Sequence, residues 1–398
     1  MATINYILFD NNSWENFLPL TFTKPLAEIR FGILTIKEKW EHYLKSECSY
    51  LTKPYLGAKY KTVYYRDNIL INSSVLPNAE ILSEIQNLNT NEVLVKDGII
   101  VAARNSSSEP AEINEEAVKN FKKIHSGSEF EKIEHLWQLF KHNGEAIVED
   151  FRLITKGRKT ANLSNNNNLL NPENIFIEEG VKANFVTINA SSGPVYIGKD
   201  TELMEGSIVR GPFALCEQSI LKIGAKIYGP TTIGPFSRVG GEVNNSIITG
   251  YSNKSHEGFL GNSIIGEWCN LGADTNNSNL KNNYADVKLW NYGTENFEKT
   301  GLQFCGLIMG DHSKCGINTM FNTGTVVGVS ANIFGTGFPR NFIPSFSWGG
   351  FGGFTTYLLP KAIEVAQIVM ARRNIELTDA DIKILEEIFN TTSKYRQY

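Results

Sequence analysis

Cysteine is scarce and scattered: five residues, at positions 48, 216, 269, 305 and 315, none paired as CxxC. An odd, dispersed set argues against a disulfide framework or a zinc knuckle and points to a reducing cytoplasm. No apolar stretch approaches the length of a membrane span. The opening residues carry no basic segment followed by an apolar core, so no secretory leader is expected. Surplus positive charge is also missing, since 38 Lys and Arg stand against 42 Asp and Glu, a formal charge of -4. That balance leaves no electrostatic footprint for nucleic acid or an anionic membrane surface. Hydrophobic residues at 41% exclude wholesale disorder, and 398 residues allow two or three units. What is abundant is Asn (41) and Gly (34), both tolerant of positive φ, which suits a fold of many tight turns.

The first 110 residues alternate strand and helix patterns. Residues 4–9, 62–65, 92–95 and 99–102 read as strands, and 34–43 as an amphipathic helix. Asp97-Gly98 between the last two strands is a hairpin turn signal. From 115 to about 154 the pattern reads as helical: Val118, Phe121 and Ile124, then Phe130, Ile133, Leu136, Trp137 and Phe140, recur at helical spacing. The polar stretch 160–168, with four consecutive asparagines, marks a boundary.

Beyond it the period changes. Ile197, Leu203, Val209, Leu215, Leu221, Ile227, Ile233 and Val239 recur every six residues without exception. The beat resumes at Phe259, Ile265 and Leu271, and again at Met309, Cys315, Phe321, Val327 and Ile333. Six residues make one short strand plus a tight turn, and three such sides close a triangular coil with the aliphatic residue inside. The expected organisation is an α/β domain with a helical connector over 1–160, a left-handed parallel β-helix over 170–345, and C-terminal helices over 355–398. In the tail, Pro360 opens one helix and Thr378 with Asp381 forms a capping box for another. These helices are expected to close or brace the open end of the solenoid. Two slips in the beat, 239–259 and 271–309, read as loops ejected from the coil, where a groove can form.

The second half resembles a known family. The run NKSHEGFLGNSIIGEWCNLGADTNNSN is similar to the acetyltransferase segment of the GlmU-like bifunctional UDP-N-acetylglucosamine pyrophosphorylase/glucosamine-1-phosphate N-acetyltransferases, which carry ANH-x-x-YLG and NIGAGT runs. His256, Leu260-Gly261, Asn270, Gly272-Ala273, Thr275 and Asn279 fall in register with them. The resemblance implies His256 as the base that deprotonates a sugar amine, and a histidine titrates where general-base catalysis works best. It implies Asn270, and with it Glu242, at the sugar, and Asn279 with Ala273 at acetyl-CoA. The family tyrosine is Phe259 here, and a family lysine is Asn244. Arg238, Lys281 and Lys288 are the candidates to supply the missing cation for a sugar phosphate. A zinc centre of the three-histidine kind is not expected, because the β-helix region holds only His256 and His312.

The N-terminal half resembles sugar nucleotidyltransferases more distantly. The strand ILF leads into DNNSWENFLPLTFTKPLAEIR, which keeps a PLT-x-x-KPL run but has no glycine in the loop. Asn12, Lys24 and Arg30 are the candidate nucleotide ligands, and Asn11 with Asn12 are candidates for left-handed geometry. The metal-binding aspartate expected after a later strand is Asn72, so the metal ligands stay unassigned. The resemblance implies Mg²⁺ for nucleotidyl transfer, a homotrimer, and small-molecule sugar phosphate and nucleotide partners in the cytoplasm. Two alternatives stand beside this reading. One is a sugar-1-phosphate nucleotidyltransferase, for instance a thymidylyltransferase, whose β-helix only oligomerises or binds an effector. The other is a non-catalytic regulatory scaffold.

Overall fold

The computed structural model describes residues 4–106 and 112–398. The chain forms two compact units. The first comprises the residues up to Phe17, Thr23–Ile29 and Leu34–His135; the second comprises Leu18–Phe22, Arg30–Ile33 and Leu136–Tyr398.

The first unit is a six-stranded mixed sheet. Its strands are β1 (Asn5–Phe9), β2 (Cys48–Leu51), β3 (Asn68–Asn72), β4 (Glu92–Lys96), β5 (Ile99–Asn105) and β6 (Lys122–His125), in the spatial order β2-β1-β3-β5-β4-β6. β1 runs parallel to both β2 and β3. Asp97 and Gly98, both at positive φ, join β4 to β5 as a tight antiparallel hairpin. Helix α1 (Ile36–Leu44) starts at a complete Thr35/Glu38 capping box, and α2 (Ala79–Gln86) starts at Asn78. Ile7, Phe9, Leu70, Val93 and Ala103 fill the core from alternate positions of the strands.

Two sequence expectations fail in this unit. Residues 62–65 are not a strand: Val63 and Tyr65 are exposed, and Val63 is held only through the Ser49 and Asn5 side chains. The stretch from 115 is not helical before Leu136. A turn at 115–120 carries Val118 into the core, and Ile124 lies in β6, which pairs parallel with β4. Apolar residues three apart fit this turn-then-strand path as well as they fit a helix.

In the second unit, α3 (Leu136–Lys141) and α4 (Asn143–Thr155) lead to a left-handed parallel β-solenoid of about 10 turns. Three long parallel sheets form its sides. The eight aliphatic residues from Ile197 to Val239 all point inside, each 2% exposed or less. At one corner, Phe236, Tyr251, Trp268 and His312 occupy successive turns at φ between 52° and 61° and stack face to face. Left-handed backbone is costly for bulky residues, and the stacking offsets it. Glycine is needed at Gly234, where an added Cβ would sit 2.0 Å from the Thr249 carbonyl oxygen.

The stretch 239–259 is not an ejected loop. Strands Glu242–Asn244, Ile247–Ile248, Asn253–Lys254 and Phe259–Gly261 continue the three sides with shortened corners. The inward residue there is Leu260, 1% exposed, and Phe259 faces outward. The second slip is a true insertion, whose hairpin pairs Lys288–Asn291 with Asn296–Lys299. The tail helices α5 (Leu359–Ala371) and α6 (Asp379–Thr391) brace the solenoid's flank: Ala366, Met370 and Leu377 pack on Trp268. Arg396 and Tyr398 then tie the chain end to the last turn through Ser345 and Ser347.

Candidate functional site

In the first unit, β1 is flanked by β2 on one side and β3 on the other, so the winding direction reverses there. Ligands of open parallel sheets bind outside the carboxyl ends of the strands at such a point. Phe9 pairs with Asn72 in register, and Asp10 follows directly. A cavity of about 720 Å³ opens beside them, lined by Asp10, Asn12, Lys53, Asn72 and Lys132 with the β4–β5 turn. The Asp10 carboxylate accepts hydrogen bonds from the Thr52 hydroxyl at 2.5 Å and the Leu26 N–H at 3.0 Å. Removal from water outweighs those bonds and pushes its pKa up to about 7. Lys53 lies 5.0 Å from the Trp14 ring centroid, a cation available to an incoming phosphate.

The loop after β1 is a tight 3-10 turn, Asn12–Phe17, not a phosphate-cradling loop. Neither Asn11 nor Asn12 adopts positive φ. Asn11 instead accepts a hydrogen bond from the Ser13 N–H at 2.9 Å and so closes the turn. Asn72 is equally engaged, donating to the Ile100 carbonyl and accepting from the Ser74 N–H and hydroxyl. Asn72, a neutral amide already bonded, and Asp10, with both oxygens in use, do not make a preformed magnesium site; the cavity's other carboxylates are Glu112, Glu115, Glu116 and Glu134. Among the described residues, no group of three or more His, Cys, Asp or Glu comes together to hold a metal.

In the second unit, the strand Asn253–Lys254 turns a corner through Ser255, His256 and Glu257 into Phe259–Gly261. The inward position on that strand, aliphatic in the turn below, is Lys254, 3% exposed. Its ammonium donates to the carbonyl oxygens of His256 (2.7 Å) and Gly240 (3.0 Å), and burial lowers its pKa to about 8. Asn277 also points inside and exchanges hydrogen bonds with the Gly261 backbone. The corner therefore rests on two polar groups buried in the coil. The His256 imidazole itself is exposed and makes no hydrogen bond among the described residues.

On the flat side before this corner, Arg238, Asn253, Asn270 and Lys314 form one outward column, one residue per turn. A cavity of about 470 Å³ lies over the column, closed by Arg372 and Arg373 at the end of α5, with Ser255 at its edge. Four cations and no carboxylate line it. Desolvation and the neighbouring Arg238 and Arg372 charges hold Arg373 below its usual pKa, and burial does the same for Lys314.

Residues 6–159 match the family described as sugar nucleotidyl transferase. "Bifunctional protein GlmU" of Methanocaldococcus jannaschii is 39% identical over 87 residues, a match spanning 22% of this chain and 21% of that protein. The chain thus carries an N-terminal region similar to sugar nucleotidyl transferases and a stretch similar to a GlmU protein, about a fifth of whose length it matches. An Arabidopsis UDP-N-acetylglucosamine acyltransferase structure is 17% identical and covers 54% of this chain and 80% of its own, at a TM-score of 0.25. The solenoid rests on the strand register above. No helix among the described residues is long and apolar enough to cross a membrane.

Of the residues singled out in the nucleotidyl transferase domain, Asn12 lines the cleft, whereas Lys24 is buried at 4% exposure and is not part of its lining. Arg30 belongs to the second unit, where it donates to the Ile33 carbonyl oxygen and the Cys216 sulfur. In the solenoid, Arg238 and Asn270 come together beside the His256 corner. Glu242 and Phe259 are ladder partners on the next side, with the Tyr228 hydroxyl donating to Glu242. Asn279 donates to the Asn262 side chain at 2.8 Å, and the Ala273 carbonyl oxygen accepts from the Asn318 N–H. Lys281 and Lys288 line a different cavity, in the insertion. Lys53, Lys314, Arg372 and Arg373 carried no motif. Their only cue is position, at the end of β2, at an outward solenoid place and at the end of α5.

Proposed function

We propose that the chain makes a nucleotide sugar in two steps, acetylating glucosamine 1-phosphate on the solenoid and joining the product to UTP in the N-terminal domain. The observation that supports this best is the carboxylate-free cationic cavity beside the corner that presents His256. A sugar phosphate brings two negative charges, and Arg238, Lys314, Arg372 and Arg373 supply the counter-charge that a neutral Asn244 cannot. Asn270 hydrogen-bonds a sugar hydroxyl, and the amine is directed toward His256.

The amine nitrogen attacks the thioester carbonyl of acetyl-CoA, His256 takes the proton the nitrogen loses, and the carbon–sulfur bond breaks as that proton passes to the departing sulfur, releasing the thiol. Asn279 and the Ala273 backbone serve the thioester end. An exposed imidazole with no hydrogen-bond partner among the described residues fits a site completed by a second copy, and a trimer is the assembly proposed. In the nucleotidyl transferase domain, Lys53 and Asn12 face the triphosphate of UTP, and the sugar phosphate oxygen attacks its α-phosphorus as pyrophosphate leaves. Magnesium would arrive with the triphosphate and would offset its charge. Both substrates are small soluble molecules, in keeping with a cytoplasmic enzyme.

The test is thiol release from acetyl-CoA with glucosamine 1-phosphate, using the intact protein and His256→Ala. Turnover that falls by at least a hundredfold in the variant, with folding unchanged, supports the reading; equal turnover in both rejects it. The phenylalanine at 259, which lacks the family hydroxyl, and the PLT-x-x-KPL run of the first domain favour the second reading, a nucleotidyltransferase whose solenoid serves assembly. It predicts pyrophosphate release from UTP or dTTP with hexose 1-phosphates and no thiol release.

A further inference from the structure

The insertion between the inward residues Asn277 and Met309 leaves the solenoid at Asn279 and returns at Cys305, whose N–H donates to the Asn279 carbonyl oxygen. Its hairpin stands on the flank of the coil by aromatic packing: the Trp290 ring stacks on Phe342 at 4.2 Å, and Tyr395 packs edge-on against both. Between hairpin and coil lies a cavity of about 770 Å³, lined by Lys281, Lys288, Phe297, Thr323 and Arg340 with neighbouring asparagines. That size suits a nucleotide-sized ligand.

No carboxylate lines this pocket. The hairpin's own acids are used elsewhere: Glu295 pairs with Lys394 and accepts from the Tyr395 hydroxyl, and Glu298 accepts from Asn291 and Thr294. Lys288 sits directly opposite Lys299 in the ladder, a like-charge pair that disfavours the hairpin unless an anion joins it. The Arg340 guanidinium lies 5.6 Å from the Phe354 ring centroid and makes no ion pair among the described residues, and Lys281 donates to the Asp286 carbonyl oxygen. Beside these cations the Phe297 ring is 36% exposed and lines the same cavity.

We propose that this pocket binds a nucleotide, its phosphates held by Lys281, Lys288 and Arg340 and its base laid on Phe297. A guanidinium grips phosphate oxygens in pairs, ammonium groups act as point charges, and an aromatic face accepts any base. The site is separate from the cationic cavity at Asn270 and stands whether or not the chain transfers acetyl groups. Two sources share this chemistry: the adenosine bisphosphate end of an acyl-coenzyme donor, and a pyrimidine nucleotide.

Calorimetric titration of the full chain with adenosine 3′,5′-bisphosphate and, separately, with UTP tests it. The variants are Lys288→Glu and Arg340→Glu, both at exposed positions, with thermal unfolding as the folding control. Binding of the bisphosphate weakened at least tenfold by both variants, with UTP binding unchanged, assigns the pocket to the acyl donor. A second UTP site per chain lost in both variants assigns it to a pyrimidine nucleotide. If neither nucleotide's binding responds to either variant, or neither binds the intact protein, the proposal is overturned. Phe297→Ala supplies an independent arm: it weakens nucleotide binding and leaves inorganic phosphate binding intact.

Discussion

The ammonium of Lys254, inside the solenoid, donates to the carbonyl oxygen of His256 across 2.7 Å. A position that other turns fill with an aliphatic side chain here anchors the turn that presents the imidazole. Burial makes the anchor sensitive to pH. Between about 8 and the ordinary lysine value of 10.5 the unfolded chain holds a proton that the folded chain has released, so stability rises with pH in this window. The full shift corresponds to about 3 kcal/mol. Lys254→Met is expected to lose that rise, as read by denaturant unfolding at pH 7.5, 9 and 10.5. Parallel stability curves for the two proteins would show that Lys254 titrates normally.

Asp10 works in the opposite direction. The folded chain holds its proton up to about pH 7 while the unfolded chain loses it near 3.8, so this group's contribution falls as pH rises between those values. Asp10→Asn, which keeps an acceptor for the Leu26 N–H, is expected to be as stable as wild type at pH 4 and more stable at pH 8. The limit is roughly 4 kcal/mol, by the same conversion. A variant less stable at pH 8 would contradict this.

The solenoid's interior tolerates little loss. Phe321 is fully buried, and Phe321→Ala is expected to cost about 3–5 kcal/mol through lost transfer energy and a residual cavity. Gly234→Ala meets the Thr249 carbonyl oxygen with no flexible group to give way, so a clear loss is expected despite the small change. Thermal unfolding of both variants checks this; a midpoint unchanged in either would speak against the packing described.

Arg372 and Arg373 reach the Asn270 cavity from the turn that follows α5. Replacing both with glutamate reverses half of the cavity's cationic groups, so KM for an amino-sugar phosphate is expected to rise at least tenfold while KM for acetyl-CoA holds. Steady-state kinetics with each substrate varied in turn separates the two effects. Equal changes in both constants would place these arginines in general folding.

Much of the solenoid was legible because one residue in six must be apolar to fill a triangular prism, and that constraint repeats over the whole length. The shortened turns after Val239 were not, because the steps to Val243 and Ile248 are four and five residues and the next inward residue is Lys254, which no hydrophobic pattern marks. Asparagine and glycine announced tight turns, yet one corner is built of Phe236, Tyr251, Trp268 and His312, whose stacking is visible only once the turns are superposed. In the N-terminal domain, Lys24 and Arg30 looked like phosphate ligands from their motif alone, but burial and unit membership place them away from the cleft lining. Lys53, Arg372 and Arg373 belong to segments far apart in sequence, and only the fold brings them to a cavity.

The central claim is that one chain carries both steps of nucleotide-sugar synthesis. Its most direct test is to supply the intact protein with UTP, glucosamine 1-phosphate and magnesium, with and without acetyl-CoA, and to follow pyrophosphate and nucleotide sugar together. The account predicts UDP-N-acetylglucosamine formed only when acetyl-CoA is present, with one thiol released per pyrophosphate. Pyrophosphate released from a nucleoside triphosphate and a hexose 1-phosphate at the same rate without acetyl-CoA, and no thiol under any condition, would contradict it.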